Sequence, residues 1–442
     1  MEMKRTAHFG SLLEKNQMVS CPSPIIQVPG HFQNQPTQLS LNEDLLSKHM
    51  LFIGGTGSGK TNAFYPIVAQ IKAQLAPEDI LIIFDTKGDF YELFGTPQDF
   101  VIGNSRAYAN QSARWNVFRE ILADGWEDAN VETNAQELSW SVFREAIERS
   151  KDPFFPNAAR DLFASILLCL IQTAKNDDAF KRSNLYNGEL KRAFTESTIQ
   201  DIKRMLEAHP SLSSVLSYIG DGNGEQALGV YAEMVSCFRK LFTGVFADKG
   251  MFSMRNFVRR DFSAQSRTLF IEYDMSIGNS LAPIYSLLFD LALKETLGRN
   301  HQNGNVYLIC DEFRLLPHLQ HIDDGVNFGR SLGVKIIAGL QSINQLTEVY
   351  GEARGKNVAA GFSSVVAFRA NDADTRKFVT ELYGKNVILE SRKNILQQID
   401  EKTRGANVVE DWDMYSLGVG EAVIGFPFHM PFKFQFDLYR RV

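Results

Sequence analysis

The chain has 442 residues, 44% hydrophobic and 22% charged, with a formal net charge of −6. It is long enough for two domains with full cores and has the composition of an ordinary soluble globular protein. Four widely spaced cysteines (Cys21, Cys169, Cys237, Cys310) exclude a disulfide framework or thiolate zinc site, and the negative balance excludes a global attraction to nucleic acid, so any DNA contact must be a local basic surface.

Residues 1–45 are rich in Gln, Asn, Ser and Pro and are expected to form an N-terminal arm or small subdomain. The first nucleotide-binding part is assigned to residues 46–115. It opens with an apolar strand over 50–54 and continues through Gly54-Gly55-Thr56-Gly57-Ser58-Gly59-Lys60-Thr61 into a helix over about 60–75. This stretch fits G-x-x-x-x-G-K-[ST] in a strand–loop–helix setting. Its glycines let successive backbone N–H groups face one concavity at a helix N-terminus, Lys60 reaches the β- and γ-phosphates, and the Thr61 hydroxyl ligates Mg²⁺. The implied ligands are ATP and Mg²⁺. Pro66 is expected to kink or shorten the helix. Ile80–Phe84 reads as a buried parallel strand, and Asp85-Thr86-Lys87-Gly88-Asp89 as a loop at its carboxyl end, where ligand contacts or a simple turn both fit. The D-x-x-G within it lacks an accompanying N-K-x-D, which argues against a GTPase.

Residues 116–250 change character. Helical spacing over Ala158–Thr173 and over Gln226–Phe246 points to an all-α insertion domain. Strand patterns return in the second nucleotide-binding part, 251–442, at 268–273, 306–310, 335–339 and 364–368, and Phe432–Leu438 alternates as a half-exposed terminal strand. The expected fold class is therefore α/β, a mostly parallel central sheet interrupted by an all-α insertion. No run of eighteen apolar residues occurs and the start lacks a signal-peptide core, so neither a membrane span nor export is expected.

Asp311-Glu312 follows the apolar strand Val306–Cys310. Asp311 suits Mg²⁺ orientation through its water shell, and Glu312 suits polarisation of the water that attacks the γ-phosphate; two acids capping a helix start is the plainer reading. Gln341 ends the next strand, Ile336–Leu340, which should lie beside that of Asp311. There it either senses the γ-phosphate or holds the lytic water, or is an ordinary strand-end glutamine. Arg330 precedes the same strand and, in a ring, could reach a neighbour's nucleotide; alone it reads as a solvated helix end. His318 and His321 lie three apart on a presumed helix with no ligand partners in sequence, which favours packing over metal binding.

In order and spacing, Ile53–Thr61, Phe84–Asp89, Asp311-Glu312-Phe313 with Leu316-Pro317, Gly329–Gly333, Gly339–Leu346 with Tyr350-Gly351, Val366–Ala370 and Leu382–Gly384 resemble the conjugative type IV secretion coupling proteins of the TraD/TrwB kind. The resemblance covers residues 46–95 and 265–390. It implies a RecA-like P-loop NTPase that assembles as a hexamer, hydrolyses ATP and moves DNA to a secretion channel, with membrane-anchored subunits or a relaxase-type protein as partners. It further implies Glu312 as catalytic base, Gln341 as γ-phosphate sensor and Arg330 as a finger acting on the adjacent subunit. Family members usually begin with a transmembrane anchor, and none is expected here. The implied location is thus cytoplasmic or peripheral at the cytoplasmic face of the inner membrane. Two alternatives remain: a HerA–FtsK-like translocase in repair or defence, and an ATP-gated recruitment module with little turnover.

Overall fold

In the computed structural model, which describes residues 3–260, 266–299, 304–393 and 399–440, the strands in chain order are β1 (Met3–Phe9), β2 (Ile26–Phe32), β3 (Gln35–Leu41), β4 (Met50–Ile53), β5 (Ile80–Asp85), β6 (Phe100–Gly103), β7 (Thr268–Glu272), β8 (Val306–Cys310), β9 (Val334–Leu340), β10 (Ser364–Phe368), β11 (Lys385–Lys393), β12 (Ile399–Asn407), β13 (Glu421–Gly425) and β14 (Phe432–Phe436). Eleven form one sheet in the order β3-β2-β14-β13-β10-β4-β9-β8-β5-β7-β6. From β10 to β6 all neighbours are parallel. From β10 to β3 they are antiparallel. β1, β11 and β12 make a separate small sheet.

Unbroken apolar strands require cover on both faces. Leu51, Ile53, Ile80, Ile82 and Phe84 point into a cluster shared with the helical insertion and the helix Gly278–Leu297. The alternate residues Met50, Phe52, Leu81 and Ile83 pack on the opposite face with Phe64, Ile67, Val68 and Ile71 of the helix Lys60–Gln74. That helix runs through Pro66 without being cut short. Pro66 removes one N–H donor, and the burial of four large apolar side chains outweighs the loss.

Residues 1–45 are not one arm. Met3–Phe9 joins the small sheet, whereas Ile26–Leu41 forms a hairpin that ends the large one. The hairpin is an edge element with Ile26 and Val28 inward and polar neighbours outward, so its composition disguises it. Gln33 and Asn34 turn it with φ of 50° and 64°.

The insertion contains the long helices Asp128–Arg149, Phe154–Asn176 and Glu225–Leu241. Phe154–Asn176 is long and apolar enough to cross a membrane, contrary to the sequence expectation. In the structure 67% of its apolar window is buried, as in the core helix of a helical unit. Where the chain leaves and re-enters the sheet, Trp115 and Phe252 form a parallel bridge. Beside it the buried Asn116 side chain donates to the carbonyls of Leu185 and Gly250 and accepts from the amides of Phe118 and Arg119. Replacing Asn116 with Ala leaves these groups unpaired and should lower the unfolding free energy by about 2–3 kcal/mol. Urea denaturation followed by circular dichroism reads this; a loss below about 0.5 kcal/mol would show that the staple is dispensable.

Candidate nucleotide site

The loop between β4 and the helix Lys60–Gln74 is tied down at three places. Gly54 N–H donates to Leu340 O (3.0 Å), Gly55 N–H to Arg369 O (2.9 Å), and Gly420 N–H to Ser58 O (2.8 Å). Gly59 caps the helix with φ of 100°, and a Cβ there would lie 2.7 Å from the Gly420 nitrogen, so only glycine fits. The loop is thereby held as a rigid cradle at the N-terminus of a fifteen-residue helix, whose first-turn amides lack helical acceptors. Gly57 has φ of 75° and open space beside it.

Register brings the other residues to this cradle. β9 lies between β4 and β8, so residues following β8 and β9 emerge beside the loop. The Thr61 hydroxyl donates to Asp311 Oδ2 at 2.5 Å. Gln341 Nε2 donates to Glu312 Oε1 at 2.7 Å, and Thr56 Oγ1 donates to Gln341 Oε1 at 3.3 Å. Gly339 permits this closeness, because a Cβ there would meet the Asp311 carbonyl at 2.1 Å. Lys60 and Asp311 are buried, 6% and 3% exposed.

Three buried polar atoms here, Ser58 Oγ, Asp311 Oδ1 and Glu312 Oε2, have no hydrogen-bond partner within the described protein. Buried carboxylate oxygens left unpaired are costly unless a cation or water satisfies them. A threonine hydroxyl beside such a carboxylate, under a glycine cradle with a buried lysine, is a donor set that fits a magnesium-bound polyphosphate.

Arg330 stands apart. It lies in the 3-10 turn Gly329–Leu332 ahead of β9, at the end of the strand opposite Gln341. A seven-residue strand separates the two by about 23 Å. Its Nη2 donates to Asp44 Oδ1 at 2.9 Å, and the side chain is 58% exposed. Arg330 is outside the site formed within this chain.

Two further residues, Arg314 and Glu272, were not singled out in sequence. Arg314 follows Glu312 in the 3-10 turn Phe313–Leu315, with Nε 3.8 Å from Glu312 Oε2. Asp85 accepts from the amides of Lys87, Gly88, Phe90 and Tyr91, so the 85–89 loop is a self-capped turn built on a buried acid. Burial pushes the Asp85 carboxyl up. Glu272, its register partner on β7, is pushed up to about 9 by burial and by the Asp85 charge. Glu272 was legible in principle, as another acid ending a buried parallel strand.

The chain matches the family described as type IV secretion-system coupling protein DNA-binding domain over residues 35–413. Coupling protein TraD of Escherichia coli (strain K12) is 21% identical over 367 residues, covering 82% of this chain and 47% of TraD. The chain spans about half the length of the curated relatives it matches. Among solved structures, the unbound conjugative coupling protein TrwBdeltaN70 superposes with a TM-score of 0.75 at 21% identity, covering 100% of this chain and 95% of that one. TrwB in complex with ADP and Mg²⁺ superposes with a TM-score of 0.71 at 20% identity, covering 100% and 96%. At these identities the structural likeness shows the fold alone, a RecA-like P-loop fold.

The buried acid pair yields a pH test. Between about 4.5, the ordinary value, and about 9 the folded Glu272 keeps a proton that the unfolded chain has released, so its contribution erodes stability as pH rises through that window. Glu272→Gln removes this loss. The variant should gain more over the parent at pH 8.5 than at pH 5.5 in denaturant melts; an equal difference at both would contradict the buried, protonated state.

Proposed function

Since this chain belongs to the type IV secretion-system coupling proteins by its match over residues 35–413, we propose that it is an ATP-hydrolysing hexameric ring motor that moves DNA to a type IV secretion channel. The observation that carries the reading is the meeting of Thr61 with Asp311 and of Gln341 with both Thr56 and Glu312. The ADP and Mg²⁺ held by TrwB support the same ligand class here.

When bound, Mg²⁺ supplies the charge that offsets the polyphosphate. The chain's own residues do the rest. The Gly54–Gly59 cradle and the Lys60 ammonium bind the β- and γ-phosphates. Thr61 and Asp311 are the residues that would hold the metal. Glu312 orients the attacking water and accepts its proton. Gln341, already bridging the loop to Glu312, registers whether the γ-phosphate is present. Arg330, on the far end of the strands, serves a neighbour's site and stabilises charge developing in the transition state. DNA contacts within the ring are to phosphates and largely independent of sequence. Membrane subunits of the secretion system and a relaxase-type protein complete the assembly at the cytoplasmic face of the inner membrane.

Lys60→Ala should abolish nucleotide binding. Glu312→Gln should keep binding and lower DNA-stimulated hydrolysis by about 100-fold or more, read by a phosphate-release assay with and without DNA. Retained transfer activity in Glu312→Gln alongside its loss in Lys60→Ala would instead identify a binding-only recruitment module. Arg330→Ala subunits should bind ATP and suppress mixed rings out of proportion to their fraction; a linear decline would place Arg330 outside the neighbour's site.

A further inference from the structure

We infer that Arg314 is a positioning residue through which a phosphodiester backbone controls Glu312: without nucleic acid its guanidinium rests against the Glu312 carboxylate, and bound DNA draws it away. The inference rests on the motor reading above, of which it specifies the regulation.

The carboxylate of Glu312 is held from two sides. Oε1 accepts from the Gln341 amide at 2.7 Å. Oε2 is buried, has no hydrogen bond among the described residues, and faces Arg314 Nε at 3.8 Å, an ion pair too long to be a hydrogen bond. A cation at that distance competes with water for the oxygen that must accept a proton. The pair is also asymmetric: the Glu312 side chain is 13% exposed and that of Arg314 is 50% exposed. Arg314 therefore reaches from the catalytic carboxylate to solvent. Only Phe313 separates the two residues in the chain, so a displaced guanidinium acts on Glu312 without any long relay.

The surroundings suit a polyanion. β5 lies between β8 and β7, so the segments leaving these three strands share one edge. Lys87, exposed on the loop after β5, has no ion-pair partner among the described residues, while the amide bonds to Asp85 fix its backbone. After β7, Met275 is 73% and Ile277 38% exposed, leaving apolar surface that bases or sugars can cover. A guanidinium and an ammonium on one rim, backed by apolar side chains, match a nucleic-acid backbone. Its phosphates offer Arg314 several acceptors at once together with counterion release, against one partly buried carboxylate at 3.8 Å.

The test uses the full chain, with ATP hydrolysis measured without nucleic acid, with linear duplex DNA and with a single-stranded oligonucleotide. Binding of a non-hydrolysable ATP analogue serves as the folding control. Arg314→Gln should raise the DNA-free rate at least threefold and bring the stimulation ratio close to one, with analogue affinity unchanged. The two DNA arms identify which form of backbone is sensed. A parental DNA-free rate with a parental stimulation ratio would overturn the inference, as would loss of both rates with analogue binding intact. Arg314→Met, judged by the same criteria, decides if the glutamine variant fails to fold. Absence of stimulation in the parent, with no deficit in Glu312→Gln, would remove the motor reading and this inference with it. Normal stimulation that depends on Glu312 and not on Arg314 would remove the inference alone.

Discussion

Two side chains 250 positions apart, the Thr61 hydroxyl and the Asp311 carboxylate, meet at 2.5 Å, and the nucleotide site depends on that meeting. It is a product of sheet order. β9 is inserted between β4 and β8, with Gly339 allowing the backbones to approach, so the loop after β4 faces the acids after β8 across one strand. Gln341 occupies the end of that intervening strand and is bonded to both sides. The fold thus bonds each side of the site to the other through Gln341.

Much of this was legible because it follows from local chemistry. Unbroken apolar runs marked β4, β5, β8 and β10, and the glycine spacing marked the loop whose Gly59 requires a left-handed backbone. The convergence of Thr61, Asp311, Glu312 and Gln341 followed from acids and amides at the ends of buried parallel strands. What escaped was nonlocal. The hairpin of β2 and β3 is half exposed at a sheet edge, and only its pairing with β14 reveals that it belongs to the large sheet. Glu272 gains significance from Asp85, a buried register partner distant in sequence, whereas Arg314 is a near neighbour of Glu312 in the chain and only the folded geometry places its guanidinium against that carboxylate.

The histidines illustrate the same limit. His318 and His321 are not on a helix: His318 sits in a loop with φ of 58°, and His321 precedes the helix Ile322–Phe328. His318 bonds Glu148 at 2.8 Å, His321 bonds Asp290 at 3.0 Å, and Gln320 accepts from Ser141 at 3.2 Å. Glu148 and Ser141 belong to the insertion helix Asp128–Arg149. Tyr350, in the helix that follows Gln341, donates to Leu316 O at 3.2 Å. The segment after Glu312 is therefore bonded to the insertion on one side and to the segment after Gln341 on the other. This gives the helical unit a short covalent and hydrogen-bonded route to Glu312 and Gln341.

The central claim is that Thr61 and Asp311 act on one magnesium-bound triphosphate. A double-mutant cycle on magnesium-dependent ATP affinity, taken as the difference between binding in Mg²⁺ and in chelator, tests it directly with Thr61→Val, Asp311→Asn and their combination. Action at a single ion predicts that each change removes most of the magnesium dependence and that the double variant loses little more, a coupling of about 1 kcal/mol or greater. Fully additive losses, or a magnesium effect untouched by either change, would contradict it.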